Sequence, residues 1–296
     1  MLGVVILNYL SWQDTLRCAE NIARARADAH ILIVDNGSPD DSFVELKRTY
    51  AGRPDVSVIS TGANLGYAKG NNVGLRIMSG KGIEYCLVVN PDVMIAEDAI
   101  ATLLKAMVEH QDVVVCGPAV YNSTGKNLAA PRIKEPGMLE ATGLLPARLD
   151  DPGSWVRQGK QFVYWCSGAC LLVRLRSFLD MGSFDEGTFL YNEENCYGRQ
   201  AELAGLRVLF VPEASATHYH RTPHQGSAFA EAEYVASGIY YWRKYRNASV
   251  ATLVFFLVVR HVHVLLKMAT GRMPWGAYRE FRRRTRQVTR GLVASA

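Results

Sequence analysis

The first 120 residues alternate between short apolar segments and longer segments with helical spacing, and this alternation limits the possible folds more than any other feature of the sequence. The strand-like segments lie at 3–9, 30–36, 55–61, 84–91 and 112–120. The helix-like segments lie between them at 12–25, 40–50, 66–80 and 96–110. Strand–helix repeats with largely apolar strands are typical of a parallel sheet covered on both sides. The sequence therefore predicts an α/β fold with a mainly parallel sheet and helices on both faces.

The remainder of the chain divides into an irregular stretch, a second structured part and a tail. Periodicity is lost over 121–160, which predicts a long insertion of the kind that often forms a lid or a binding loop. Regular patterns return at 161–174, 191–205, 206–212 and 233–245. With 296 residues, 49% of them hydrophobic, the chain can bury a large core. We predict one α/β domain over 1–245 and a hydrophobic, basic helical tail over 246–296.

The tail differs from the body in charge, because the part from Arg243 to the end holds twelve Lys and Arg against one acidic residue. Segment 252–271 is almost apolar enough to span a membrane, but four cationic or titratable residues interrupt it: Arg260, His261, His263 and Lys267. Three of these share a helical stripe, which favours a helix lying in a membrane interface. A second basic face follows, with aromatic residues near it: Arg279, Arg282, Arg283, Arg286 and Arg290, near Trp275, Tyr278 and Phe281.

The tail sequence therefore predicts contact with an anionic membrane surface through 252–290. The alternative is a core helix followed by a solvated basic helix. Nucleic-acid binding is not expected, because the basic face follows an apolar stretch and no nucleic-acid module is present.

The cysteines and the N-terminus predict a cytoplasmic protein. No Cys-x-x-Cys pair occurs among the six cysteines, which we expect to be reduced core residues: Cys18, Cys86, Cys116, Cys166, Cys170 and Cys196. The N-terminal segment MLGVVILNY has no charged region before its apolar run, so it predicts a strand and not a signal peptide.

Four predicted strands end in polar residues, which should gather at one edge of the sheet, where such folds bind ligands. These ends are Asn8-Tyr9, Asp35-Asn36, Thr61 to Asn64, and Asn90-Pro91-Asp92. A carboxylate such as Asp92 at a strand end can bind Mg²⁺ or Mn²⁺, and such an ion usually also holds phosphates. The alternative is a turn residue that caps the helix near Ala96.

Three further groups have a functional and a structural interpretation. Glu193 and Glu194 can complement a helix dipole, or one of them can act as a general base in a partly apolar pocket. His218 or His220 can be a metal ligand or a structural residue. Segment 64–72, NLGYAKGNN, can approach a pyrophosphate or simply make a tight helix entry.

Taken in order, seven segments resemble glycosyltransferase family 2, above all its rhamnosyltransferase-like branch. They are VVILNY, IVDNGSPDDS, NLGYAKGNNVG, VVNPDV, CSGACLLVR, FDEGTFLYNEEN and VPEASATHYH. The resemblance covers roughly residues 3–245. It implies a GT-A (Rossmann-like) catalytic domain, a nucleotide-diphosphate sugar donor, a divalent metal (Mg²⁺ or Mn²⁺) and transfer with inversion of the anomeric configuration.

The resemblance also implies roles for individual residues. Those expected to bind the nucleotide-sugar are Asn8, Asp35 (against a pyrimidine base), Asn36, Asn64, Gly66, Tyr67, Asn71, Asn90, Gly168 and Ala169. Asp92 and His218 would hold the metal. Glu194 would be the catalytic base, next to Glu193. The sequence departs from the family pattern at Glu194, where Asp is commoner, and at Cys196, Tyr197, Gly198 and Gln200.

The predicted function is a metal-dependent, inverting glycosyltransferase, peripheral on the cytoplasmic face of the cell membrane. dTDP-rhamnose is the first candidate donor and a UDP-sugar the second. The basic, apolar tail favours a polyprenyl-linked or cell-surface glycan as acceptor. Two alternatives remain open: a catalytically inactive, membrane-anchored binding or scaffold protein, and a sugar nucleotidyltransferase. The second would be expected to carry a basic Gly-rich loop after the first strand, where NYLSWQDT stands instead.

Overall fold

A single mixed sheet forms the centre of the computed structural model, which describes residues 2–126, 131–145, 156, 158–219 and 227–293. The strands are β1 (Leu2–Asn8), β2 (His30–Asp35), β3 (Val56–Ser60), β4 (Tyr85–Val89), β5 (Val93–Ile95), β6 (Val113–Asn122), β7 (Gln161–Val163), β8 (Cys170–Arg174) and β9 (Arg207–His218). Their order in the sheet is β3-β2-β1-β4-β8-β6-β9-β5, with β7 paired to β9.

Helices connect the strands, and three of them follow the last strand. They are α1 (Trp12–Ala25), α2 (Ser42–Thr49), α3 (Gly66–Gly80), α4 (Ala99–Glu109), α5 (Met138–Thr142), α6 (Leu175–Asp180), α7 (Glu193–Leu203), α8 (Ala228–Arg246), α9 (Val250–Ala269) and α10 (Ala277–Val293). The bounds of α1 and α3 coincide with the helical segments 12–25 and 66–80 of the sequence.

The sheet is parallel in its N-terminal half and mixed beyond it. Strands β3, β2, β1 and β4 are parallel, as the strand–helix repeat predicts. Strand β8 then pairs antiparallel with both β4 and β6. Strand β9 is parallel to β6 and antiparallel to β5 and β7. The α/β fold is thus confirmed, and the mainly parallel arrangement holds for the first four strands, whose helical crossovers require it.

Helices cover both faces of the sheet, so its strands are buried on both sides. Alternate residues of β1 point to opposite faces: Val4 and Ile6 pack with α1, α2 and α4, whereas Val5 packs with α3, α6 and α7. Two buried faces explain why these strands read as continuous apolar runs. All six cysteines are buried and free, which confirms that they are core residues.

A third hydrophobic cluster joins the last three helices to the body. It contains Cys196 of α7, Trp242 of α8, Phe256 of α9 and Phe281 of α10. The predicted domain boundary at 245/246 falls where α8 ends, between two helices that share this cluster.

Three short elements and one extension were not predicted. Strand β5 has three residues, α5 has five and α6 has six, lengths too short to show a period. Strand β9 continues to His218, beyond the expected end at 212, because a register shift against β6 accommodates the extra residues that follow Val211.

Candidate active site

The polar ends of β1 and β2 meet in a buried hydrogen-bond network. Asn8 donates to Asp35 over 2.8 Å and accepts from the Thr15 hydroxyl over 2.8 Å. The second carboxylate oxygen of Asp35 accepts from the backbone N–H of Ser38 over 3.1 Å. Asn8 and Asp35 are almost completely buried. This network fixes the Asp35 carboxylate at the edge of the sheet that the sequence indicated.

Asn36 connects β2 to the loop that leads into α3. Its amide donates to the Asn64 side chain and to the Gly66 carbonyl, both over 3.1 Å, and its oxygen accepts from the N–H of Leu65. Gly66 has φ +81°, and a Cβ there would lie 2.4 Å from the Phe189 carbonyl oxygen. Glycine is therefore needed both for the backbone conformation and for the close approach of the segment before α7.

Asp92 and His218 form a pair because β5 pairs with the end of β9. Val93 is opposite His218 in that antiparallel ladder, and the Tyr219 N–H donates to the Asp92 carbonyl over 2.9 Å. The Asp92 Oδ1 to His218 Nε2 distance is 3.0 Å, and both side chains are mostly buried. Two residues that are 126 positions apart in the sequence thus come together as the resemblance implies. His220 lies outside the described residues.

The Asp92–His218 pair suits a cation that takes its remaining ligands from a bound diphosphate. A carboxylate oxygen and an imidazole nitrogen are both suitable ligands for Mn²⁺, and the oxygen suits Mg²⁺. Within the described residues no group of three or more His, Cys, Asp or Glu is arranged to hold a metal. The fit is therefore to an ion held by few protein ligands, not to an all-protein cage.

Helix α7 begins directly at the two glutamates. The preceding Tyr191 and Asn192 both have left-handed backbone angles, φ 70° and 65°, a conformation that costs free energy for residues other than glycine. This turn buries Glu193 and places Glu194, which is partly buried, at the helix N-terminus. Such strain is common at functional sites, where surrounding contacts maintain it.

Glu194 contacts the turn between β7 and β8. Its Oε1 accepts from the Gly168 N–H over 3.1 Å, and the Tyr67 hydroxyl donates to the Gly168 carbonyl over 2.6 Å. A Cβ on Gly168 would lie 2.9 Å from that same Glu194 oxygen. The next residue, Ala169, accepts at its carbonyl from the Asn90 N–H over 2.9 Å. The turn at Gly168 and Ala169 thus links the carboxyl end of β4 to Glu194.

Burial raises the pKa of both glutamates. Desolvation is the main cause for each, and for Glu193 the nearby charge of Glu194 raises the pKa further. The Glu193 Oε1 atom is buried and has no hydrogen-bond partner among the described residues. A carboxylate whose pKa is raised is a stronger base, which suits a group that takes a proton from a hydroxyl.

The raised pKa values predict a dependence of stability on pH. Above the ordinary glutamate pKa of 4.5, the unfolded chain has released protons that the folded pair still binds. The free energy of unfolding should therefore fall as the pH rises from that value through the raised pKa values. Glu193→Gln should reduce this slope, whereas Glu202→Gln, on an exposed part of α7, should not. Urea unfolding across this pH range tests the prediction, and equal slopes in the three proteins would contradict it.

The residues that depart from the family pattern have packing roles in α7. The Tyr197 hydroxyl donates to the Cys166 carbonyl over 2.5 Å and accepts from the Cys166 N–H over 2.8 Å. A Cβ on Gly198 would lie 2.5 Å from the Tyr164 carbonyl oxygen, so α7 passes directly against that segment. These contacts hold α7, and with it Glu194, against the segment between β7 and β8 that contains Gly168.

Three contributors to the site were not predicted from the sequence. Ser38 and Thr15 hold the Asn8–Asp35 pair, and Phe189 accepts from the Tyr67 N–H at its carbonyl over 2.8 Å. Ser38 lies inside the IVDNGSPDDS segment, which offered a signal for it. Phe189 makes its contact through the backbone carbonyl, so its residue type gives no indication of the contact in the sequence.

The chain is similar to known glycosyltransferases in sequence and in fold. The family model described as "Glycosyl transferase family 2" matches residues 3–169. An N-acetylglucosaminyl-diphospho-decaprenol L-rhamnosyltransferase of Mycobacterium tuberculosis is 29% identical over 232 residues, covering 71% of this chain and 73% of that protein. The rhamnosyltransferase WbbL of Escherichia coli is 25% identical over 203 residues, covering 65% of this chain and 74% of that protein.

A solved structure shows the same fold. The crystal structure of GalNAc-T7 with UDP, GalNAc and Mn²⁺ superposes with a TM-score of 0.61 at 17% identity and covers 83% of this chain. This chain spans about half (49%) of the length of that protein. The likeness confirms a GT-A fold with additional C-terminal helices.

Proposed function

The chain belongs to glycosyl transferase family 2 and is a glycosyltransferase, and from its site we propose that it transfers a sugar from a nucleotide-diphosphate donor to an acceptor hydroxyl with inversion. The observation that carries this proposal is the arrangement around the Gly168–Ala169 turn. The segment that leads to Asp92 contacts one side of the turn, and Glu194 contacts the other. The family membership does not support the nucleotidyltransferase alternative.

The donor site extends from Asp35 to Asp92 along the carboxyl ends of β2, β1 and β4. Asp35 faces the nucleoside. Asn8 holds the Asp35 carboxylate in place, because the hydrogen bonds of the Asn8 side chain go to Asp35 and to other protein groups. The wall of the donor site on the α3 side is formed by Asn36, Asn64, Gly66, Tyr67 and Asn71. Within the part of the chain that the structure describes, the buried Oδ1 of Asn71 has no hydrogen-bond partner, and we assign it to the nucleotide-sugar. Two relatives are named as rhamnosyltransferases, which favours rhamnose as the transferred sugar. We keep dTDP-rhamnose as the first candidate donor and a UDP-sugar as the second.

Asp92 and His218 would hold Mg²⁺ or Mn²⁺ next to the diphosphate. When bound, the ion neutralises charge on the leaving diphosphate. The GalNAc-T7 structure, which contains Mn²⁺ together with UDP, supports a divalent ion here.

Glu194 is the proposed base. Its carboxylate removes the proton from the acceptor hydroxyl as that oxygen attacks the anomeric carbon, and the bond from that carbon to the diphosphate oxygen breaks. One displacement with one base inverts the anomeric centre. Glu193 stays buried beside it, where desolvation and the nearby charge of Glu194 raise the pKa of Glu193.

The acceptor proposal follows from the relatives and the tail. The Mycobacterium tuberculosis relative is named for an N-acetylglucosaminyl-diphospho-decaprenol acceptor. We propose a polyprenyl-diphosphate-linked or cell-surface glycan as the acceptor class, and a position on the cytoplasmic face of the membrane.

Binding of nucleotides with and without metal tests the donor site. A nucleotide at 100 times its Kd should stabilise the folded protein by about 2.7 kcal/mol, which is visible in thermal unfolding. We expect dTDP or UDP to stabilise the wild type only with Mn²⁺ or Mg²⁺, and Asp92→Ala to abolish the effect. Asp98→Ala is the matched control, because Asp98 makes no side-chain capping bond. If no nucleotide stabilises the wild type, the inactive scaffold becomes the better interpretation.

A further inference from the structure

The outer face of α9 is apolar along the whole helix, which is unusual for a surface helix. Its exposed side chains recur at three- and four-residue intervals: Val254, Phe255, Val258, Val262, Leu265 and Leu266, each between 39% and 59% exposed. Helices that face water on one side normally place charged residues there. Contiguous exposed apolar surface of this kind marks a contact site for another phase or molecule.

The charged residues of α9 face the protein instead. Arg260 and Lys267 both pair with Glu231 of α8, and Arg260 and Glu231 are buried. The Arg260 guanidinium also lies 4.6 Å from the centre of the Tyr234 ring. The stripe of Arg260, His263 and Lys267, which the sequence analysis interpreted as the polar side of an interfacial helix, therefore includes two residues that point inward. The sequence could not show this, because their partner is in another helix.

This inward stripe also determines how α9 can meet a membrane. Within the described residues, one helix is both long enough and apolar enough to cross a bilayer, and this helix is α9. Its inner residues pack against the body from Leu253 to Met268, nearly its full length of about 30 Å. A spanning position would take α8 and the Glu231 ion pairs into hydrocarbon, at a high cost. The geometry is that of a helix lying parallel to the surface.

Basic and aromatic residues lie beside this apolar face. Helix α10 contacts α9 where the His261 ring is 4.8 Å from that of Phe281, and its closest packing is against α8. Its outer side carries four exposed arginines: Arg279, Arg282, Arg283 and Arg286. Trp275, in the connection between the two helices, is 70% exposed. The side chain of Arg290, also expected on this face, lies outside the described part of the chain.

We propose that the outer face of α9, Trp275 and the basic face of α10 form one docking surface for an anionic lipid bilayer, with α9 in the plane of the interface. Apolar side chains would enter the acyl boundary while the arginines meet anionic headgroups. The proposal deepens the proposed function, since it would bring the active site to a lipid-linked acceptor. Charge complementarity favours a bilayer over a second copy of the chain, whose corresponding face would carry the same arginines.

Vesicle binding of the full chain tests the surface without any sugar transfer. We expect the wild type to sediment with phosphatidylcholine vesicles that contain phosphatidylglycerol, less with phosphatidylcholine alone, and less at high salt. Val258→Asp should weaken binding by about tenfold or more. Val108→Asp is the matched control, an equally exposed valine (54%) on α4, and should bind like the wild type. Leu266→Asp is a second variant on the same face.

Three results would overturn the proposal. One is equal vesicle binding by Val258→Asp and Val108→Asp. Another is a wild type that does not bind vesicles and forms a dimer, together with a Val258→Asp variant that is monomeric. A second copy of the chain would then cover the apolar face. The third is resistance of bound protein to extraction at alkaline pH, which would indicate a spanning helix. Stabilisation by nucleotide and metal should be the same in Val258→Asp and the wild type, so failure here is distinct from failure of the donor site.

Discussion

Glu194→Gln should lower the rate of sugar transfer by about 10²- to 10⁴-fold, the usual contribution of a general base. The substitution removes the ability to take a proton but keeps an oxygen that can accept from the Gly168 N–H, which lies 3.1 Å from Oε1 in the wild type. The fold and the donor site should therefore remain intact. The measurement is transfer from dTDP-rhamnose, and in parallel from UDP-sugars, to a polyprenyl-diphosphate-linked N-acetylglucosamine.

The control variant for this experiment is Glu202→Gln, an isosteric change at an exposed position on the same helix. Its rate should match the wild type. Thermal stabilisation by nucleotide and metal should survive in Glu194→Gln, which separates loss of the base from loss of donor binding. A Glu194→Gln protein as active as Glu202→Gln would remove Glu194 from the mechanism.

The pH profile adds a second readout. Because burial raises the pKa of Glu194, the base is protonated at pH values where an exposed glutamate is already ionised. In the wild type, kcat/KM should therefore rise with pH through an apparent pKa above the ordinary glutamate value. The residual activity of Glu194→Gln should lack this acidic limb.

The strand ends could be predicted from the sequence because burial leaves a clear trace. Strands β1 and β2 are covered on both faces, so their apolar runs are continuous and stop where the chain reaches the ligand-binding edge. Asn8 and Asp35 lie where these apolar runs end, and the distance from Asn8 Nδ2 to Asp35 Oδ1 is 2.8 Å. A local pattern was sufficient here because parallel strands end at the same edge.

The Asp92–His218 contact could not be predicted in the same way from local patterns. It depends on β5, a strand of three residues, and on a register shift that carries β9 past its apparent end. Neither feature has a periodic signal. The resemblance to a family predicted that Asp92 and His218 act together, and the pairing of β5 with β9 explains physically why the two side chains meet.

Helix α9 shows a different limit of sequence reasoning. Periodicity correctly grouped Arg260 with Lys267 on one stripe, but it says nothing about which side of the helix faces the protein. A charged stripe is normally assigned to water. The buried Glu231, located 29 residues before Arg260, reverses that assignment by providing a partner inside the structure.

Arg260→Ala should lower the free energy of unfolding by about 3 kcal/mol, at the lower end of the effect of breaking a buried ion pair. The loss leaves the buried Glu231 carboxylate with Lys267 as its remaining cationic partner, and it also removes the guanidinium from the Tyr234 ring. Arg279→Ala, at an exposed site on α10, should change stability by less than about 0.5 kcal/mol. Urea unfolding of both variants at neutral pH measures the difference. Equal stability of the two would mean that Arg260 faces water, with the apolar stripe of α9 turned inward, and the docking surface would then lose its structural basis.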